Sequence, residues 1–179
     1  MNKTNLIHRL RVELAVAKSQ RELGKQNPAT QAARMALKHY QSQRLAKTHA
    51  DLLEHPNTHA ASEFFLEELY GVRDLTQRDI DVERIIPTLE RLLPYHTLET
   101  ITNAISLDAL SETMDTVMAE GLGEHFTEAE YICAFRERTS FSERQRQIEL
   151  IESLGSSLCH LVRIPFLATT LLMMRGPAK

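Results

Sequence analysis

The sequence predicts an all-α fold, an irregular multi-helix bundle of about seven to eight helices. Three observations predict it. The 179 residues hold only six glycines and six prolines, too little turn material for many short strands. Apolar residues recur at spacings of three and four along most of the chain, which lines one face of a helix. Thr76/Asp79, Thr127/Glu130 and Ser140/Glu143 each have the spacing of a capping box, in which two side chains satisfy N–H groups orphaned at a helix start. The length suits one domain with its own core, so 1–179 reads as a single all-helical domain. Within it, 1–26 is a helix able to project or to dimerise.

The first helix reads over 4–23, with Leu6, Leu10, Leu14 and Ala17 as a narrow stripe suited to a two-helix seam and Gly24 as its stop. Asn27 is placed to cap a second helix, with Pro28 at its first position, where a missing N–H costs nothing. That helix can run to about Glu54. Its Leu37, Tyr40, Leu45, Leu52 and Leu53 lie among Arg34, Lys38, Arg44 and Lys47, as on a half-exposed helix, and Pro56 ends it. Asn57 or Thr58 then caps a short helix carrying FFLEELYG. Ala61, Phe64, Phe65 and Leu69 share one face of it, Gly71 supplies a left-handed stop, and Val72 can fold back on Leu66. With no Trp in the chain, this helix is expected to be the central pin.

FFLEELYG, the following Arg73-Asp74-Leu75-Thr76 turn, the helix from Asp79 to Pro87, Thr48 to Leu53 and the closing Met174-Arg175-Gly176-Pro177 resemble a family of uncharacterised bacterial proteins. The resemblance covers most of the chain. It implies a helical, non-secreted protein and carries over no catalytic residue.

Leu75 and Ile80 are placed as a hydrophobic staple around the Thr76/Asp79 box, and Phe126 and Tyr131 around Thr127/Glu130. Val82, Ile85, Ile86, Leu89, Leu92 and Leu93 form a helical stripe. Pro87 should kink or break it by crowding the carbonyl of Glu83, and Pro94 closes it. Leu98, Ile101 and Ile105, then Leu110, Met114 and Val117, change phase near 106–108, which implies two helices or one bent one. Gly121 and Gly123 make a loose loop, and helices over about 128–138 and 141–157 follow. The segment from Leu158 to Met174 is the most apolar. It is too short to span a bilayer, and reads as a core helix or one shared across a dimer interface. Cys133 and Cys159 fall in apolar helical patterns and read as buried, reduced thiols.

Charge is unevenly placed. Residues 1–50 hold 10 Lys/Arg against 2 Asp/Glu, a balance of +8. Residues 51–179 hold 11 against 22, a balance of −11, and together these give the net −3. A basic half can face nucleic acid or an anionic membrane. The near-cancellation favours pairing with the acidic half instead, within the chain or across a dimer. No signal-peptide-like apolar core stands at the start, so a cytoplasmic protein is expected.

Phosphate-loop, zinc-protease, Cys-x-x-Cys, Glu-x-x-His and nucleophile-elbow motifs are absent. His55, His59, Glu63 and Glu67 fall at steps of four, with donor types that suit zinc or iron. The simpler reading is a solvated polar face, since Pro56 separates His55 from the others. His49 and Asp51 point apart on a regular helix, as a helix-end charge pattern does. Arg73, Asp74, Arg78, Asp79, Asp81 and Glu83 read as exposed ion pairs. The leading expectation is therefore a binding module that self-associates as a homodimer, with no metal and no cofactor. The first alternative is a ligand-binding protein or enzyme with a pocket formed by His49, Asp51, His59, Glu63 and Glu67. The second is nucleic-acid or membrane-surface binding by the basic first 50 residues. Phe64, Phe65, Leu69, Gly71 and Pro87 are the expected structural positions.

Overall fold

The computed structural model describes residues 2–69 and 75–161, without the side chains at 64, 68, 69, 158, 160 and 161. The helices are α1 (Lys3–Gln26), α2 (Pro28–Thr48), α3 (Ala50–Glu54), α4 (His59–Phe64), α5 (Thr76–Leu92), α6 (Tyr95–Leu122), α7 (Glu128–Glu137) and α8 (Phe141–Leu161). A π-helical turn at Phe65–Leu69 extends α4. Among the described residues there are eight α-helices and no strand.

The bundle is organised around α6, which touches α1, α2, α7 and α8. Among the described residues the FFLEELYG helix is not the centre: Phe65 is 43% exposed, while the side chains of Phe64 and Leu69, with Gly71 and Val72, lie outside the described residues. So does most of the Leu158–Met174 segment.

Two apolar clusters sit at opposite ends of α6. One joins Leu6, Ile7, Leu10 and Leu14 of α1 to Ile86 of α5 and to Leu98 and Ile105 of α6. These leucines are fully or almost fully buried, so α1 lies against the bundle along this stripe. The other joins Ala33 and Leu37 of α2, Met118 and Ala119 of α6, and Tyr131 and Ala134 of α7. Tyr40 packs edge-on to Phe126, with ring centres 5.4 Å apart. Because α6 meets different helices at its two ends, its buried face rotates along its length. The phase change near 106–108 therefore reflects a change of neighbours, and the helix runs unbroken.

Several local expectations meet the structure directly. Asn27 caps α2 by accepting from Ala29 N–H at 2.9 Å, with Pro28 at the first position. Thr127 and Glu130 form a reciprocal box, and Ser140 and Glu143 exchange the same two bonds. The Thr76 box does not form. Leu75 takes the cap position, the Thr76 hydroxyl accepts from Lys25 at 2.6 Å, and Asp79 turns inward to arginine. Gly24 does not end α1. It is buried two residues before the helix ends, and a Cβ there would lie 3.1 Å from the Arg34 side chain. Pro87 does not break α5, which continues to Leu92. Pro87 and Glu83 are exposed, so the carbonyl that loses its donor can face water, while the neighbouring Ile86 is buried in the core. The second helix ends at Thr48, and His49 separates it from α3. Cys133 and Cys159 are free but exposed, on the outer sides of α7 and α8.

Candidate functional site

The expected His/carboxylate residues all lie at the surface. His49 sits between α2 and α3, with Asp51 two residues on, both exposed. The His59 ring Nδ1 is 2.6 Å from the carbonyl oxygen of Leu53, and its Nε2 is 3.8 Å from Glu63. Glu67 is exposed on the π-helical turn. Among the described residues no three His, Cys, Asp or Glu side chains are grouped to hold a metal ion.

The chemistry-bearing side chains that the fold does bring together lie between the two apolar clusters, halfway along α6. Arg21 continues the buried stripe of α1. Its Nη1 donates to Asp79 of α5 at 2.5 Å, and its Nη2 donates to both oxygens of Asp108 of α6, at 2.7 and 2.6 Å. Arg78 donates to Asp79 at 2.7 Å and to Asp108 at 2.6 Å. One turn further along α6, Glu112 accepts from Arg34 of α2 and, at 2.5 Å, from Lys38. Arg34 also donates to Thr116 and, at 2.9 Å, to the carbonyl of Gln20. Asp115 accepts from Gln41 at 3.1 Å. Arg21 and Asp79 retain only 8% and 1% of their side-chain exposure.

Four cations, Arg21, Arg34, Lys38 and Arg78, thus face four carboxylates, Asp79, Asp108, Glu112 and Asp115. Among the described residues no buried side-chain nitrogen or oxygen lacks a hydrogen-bond partner. Burial disfavours the Arg78 charge, but Asp108 and Asp79 outweigh it and hold its pKa above the usual arginine value. At Asp115 burial wins over the attraction of Lys38 and Arg34, and its pKa is raised. The layer ties α1, α2 and α5 to α6 and joins the basic part of the chain to the acidic part. Asp79 and Arg78, expected as exposed pairs, belong to it. A charged residue at a core position of an otherwise apolar stripe was the available signal: Arg21 follows Leu10, Leu14 and Ala17 at helical spacing.

A second feature lies on the outer side of α8. Leu150 is buried against the bundle, while Phe141 is 84%, Ile148 56% and Ile151 43% exposed. Their spacings of seven and three, continued four residues later by Gly155, trace one stripe. Among the described residues, an added Cβ at Gly155 would meet nothing within 4 Å. Among the described residues no helix is long and apolar enough to cross a membrane.

A protein family described as a domain of unknown function (DUF8198) matches residues 20–179. No curated protein and no solved structure matches the chain.

Proposed function

We propose that this chain, which belongs to the DUF8198 family, works by binding, as a homodimer held through the outer face of α8. The observation that carries the reading is the row Phe141, Ile148 and Ile151, three large apolar side chains exposed on one stripe with a seven-three spacing. Among the described residues nothing covers this row, and a row of this kind is a surface that a second helix can cover. The buried charged layer supports the same reading. Arg21, Arg34 and Lys38 of the basic first 50 residues are matched to carboxylates inside the fold, and so are not available to a polyanion.

Light scattering of the full chain over a range of concentrations tests this. The expected result is a dimer that dissociates on dilution, and a monomer for Ile148→Glu with an unchanged helical circular dichroism spectrum. A second exposed apolar row, Val12, Val16 and Leu23 on α1, provides the control. A wild type that is monomeric throughout, or a dimer disrupted by Val16→Glu and not by Ile148→Glu, would overturn the assignment to α8.

A further inference from the structure

We propose that the two copies pair through antiparallel α8 helices crossing at Ile148, with each Phe141 seated over the partner's Gly155. This rests on the homodimer reading above and specifies its contact. The four described glycines carry the inference. Gly123 ends α6 with a positive φ of 69°. Gly24 and Gly121 lie inside helices, and each has an arginine side chain against the position where a Cβ would stand, at 3.1 Å for Arg34 and 3.0 Å for Arg138. Gly155 also lies inside a helix, where glycine weakens the helix relative to alanine, yet it ends nothing and, among the described residues, no neighbour approaches it. No close neighbour among them makes glycine useful there.

Phe141 is the most exposed of the large apolar side chains described. It stands seven residues before Ile148, and Gly155 stands seven residues after it. On a helix that places the bulk and the gap at about 10 Å on either side of Ile148, on the same stripe. Turning one copy about a two-fold axis at Ile148 therefore sets each phenylalanine over the opposite gap. A parallel pair would set the two phenylalanines together and the two glycines together, leaving one layer overfilled and one empty. Charge agrees with the antiparallel choice. Residues 141–148 carry Glu143, Arg144 and Arg146, a balance of +1, and residues 149–161 carry Glu149 and Glu152, a balance of −2. Antiparallel pairing places these opposite halves together, as it does the opposite ends of the two helix dipoles.

The test uses the full chain with the exposed Cys133 and Cys159 replaced by serine, and single cysteines at 148, 141 or 155 under mild oxidation. Ile148→Cys is expected to cross-link to itself. Phe141→Cys and Gly155→Cys are each expected to stay uncross-linked alone and to form a disulfide-linked pair when mixed, since only close Cβ atoms bridge. Gly155→Leu, which meets no described neighbour in the monomer, should raise the dimer dissociation constant by about tenfold or more without loss of helix signal. Self-cross-linking by Phe141→Cys and by Gly155→Cys would overturn the antiparallel register and leave the α8 homodimer standing. A wild type that is a dimer by light scattering, while no α8 cysteine cross-links and Gly155→Leu dimerises normally, would overturn this contact and the assignment to α8 together.

Discussion

Replacing Glu112 by glutamine removes one carboxylate from the buried layer and leaves the shape of the side chain. Glu112 is 4% exposed. Its oxygens accept from Arg34 and Lys38, and Arg21 lies 3.8 Å away. With the charge gone, four cations face three carboxylates, and the new amide N–H group points a donor at a donor. Breaking a buried pair by removing one partner costs about 3–5 kcal/mol. Arg34 keeps its bonds to Gln20 and Thr116, so the lower end, about 3 kcal/mol, is the expected loss. That is a large part of a domain's net stability of about 5–15 kcal/mol. For a domain of this size it lowers Tm by about 6–12 °C. Urea melts followed by circular dichroism should show a lower midpoint at unchanged slope, at low and high salt alike, because the layer is shielded from solvent ions. Lys18→Met is the contrast. Its partner Glu83 lies 2.5 Å away, but the two side chains are 37% and 56% exposed, so the loss should be small and should fade in salt. Adding Arg34→Met to Glu112→Gln should recover part of the stability, since the unpaired cation then goes too. A Glu112→Gln chain that melts with the wild type, or whose deficit disappears in salt, would refute the view that these charges are buried and depend on one another.

Two further predictions concern the same layer. Asp115 has a raised pKa because burial disfavours its charge, so the folded state keeps its proton to higher pH than the unfolded chain, and this group's contribution to stability falls as pH rises from its ordinary value of 3.8 through the raised one. Asp115→Asn should therefore gain on the wild type across that window and hold a constant advantage above it, and parallel curves of Tm against pH would contradict this. Gly24→Ala would ordinarily gain helix stability of up to about 1 kcal/mol, but here the new Cβ meets Arg34 at 3.1 Å, and Arg34 is held by three bonds. Thermal melts should show a net loss that shrinks in a Glu112→Gln background, whereas a raised Tm would show that Arg34 moves aside freely.

Those elements whose signal is local were legible in the chain. The Leu6, Leu10, Leu14 and Ala17 stripe, the Asn27-Pro28 start and the Thr127 and Ser140 boxes depend on neighbours a turn apart, and each forms as its spacing implies. A break at Pro87 and the Thr76 box both fail to form, for one shared reason. The local rule holds, but a distant partner outweighs it: Ile86 keeps α5 in the core past the proline, and Arg21 draws Asp79 away from the cap. The cysteines show the limit of apolar pattern. In α8, Leu150 and Ile151 are adjacent and alike in hydropathy, yet one is buried and the other exposed, and only the packing of α6 decides between them.

The buried charged layer was harder to foresee than any helix, because reading by hydropathy sends charge to the surface. Composition did carry a trace of it. A segment of +8 beside one of −11 can mean a basic surface waiting for a polyanion or a set of internal pairs, and net charge is the same for both. What separates them is position on the helix. Arg21 stands at the step where α1 repeats its buried stripe, and Arg34 stands beside Ala33 and one turn before Leu37. A basic side chain on a solvated face carries no such register, whereas one in register with leucines must find a carboxylate or be driven out of the core. The carboxylates it finds are 58 to 87 residues away in sequence, so register tells which arginines are inside and only the fold tells what they face.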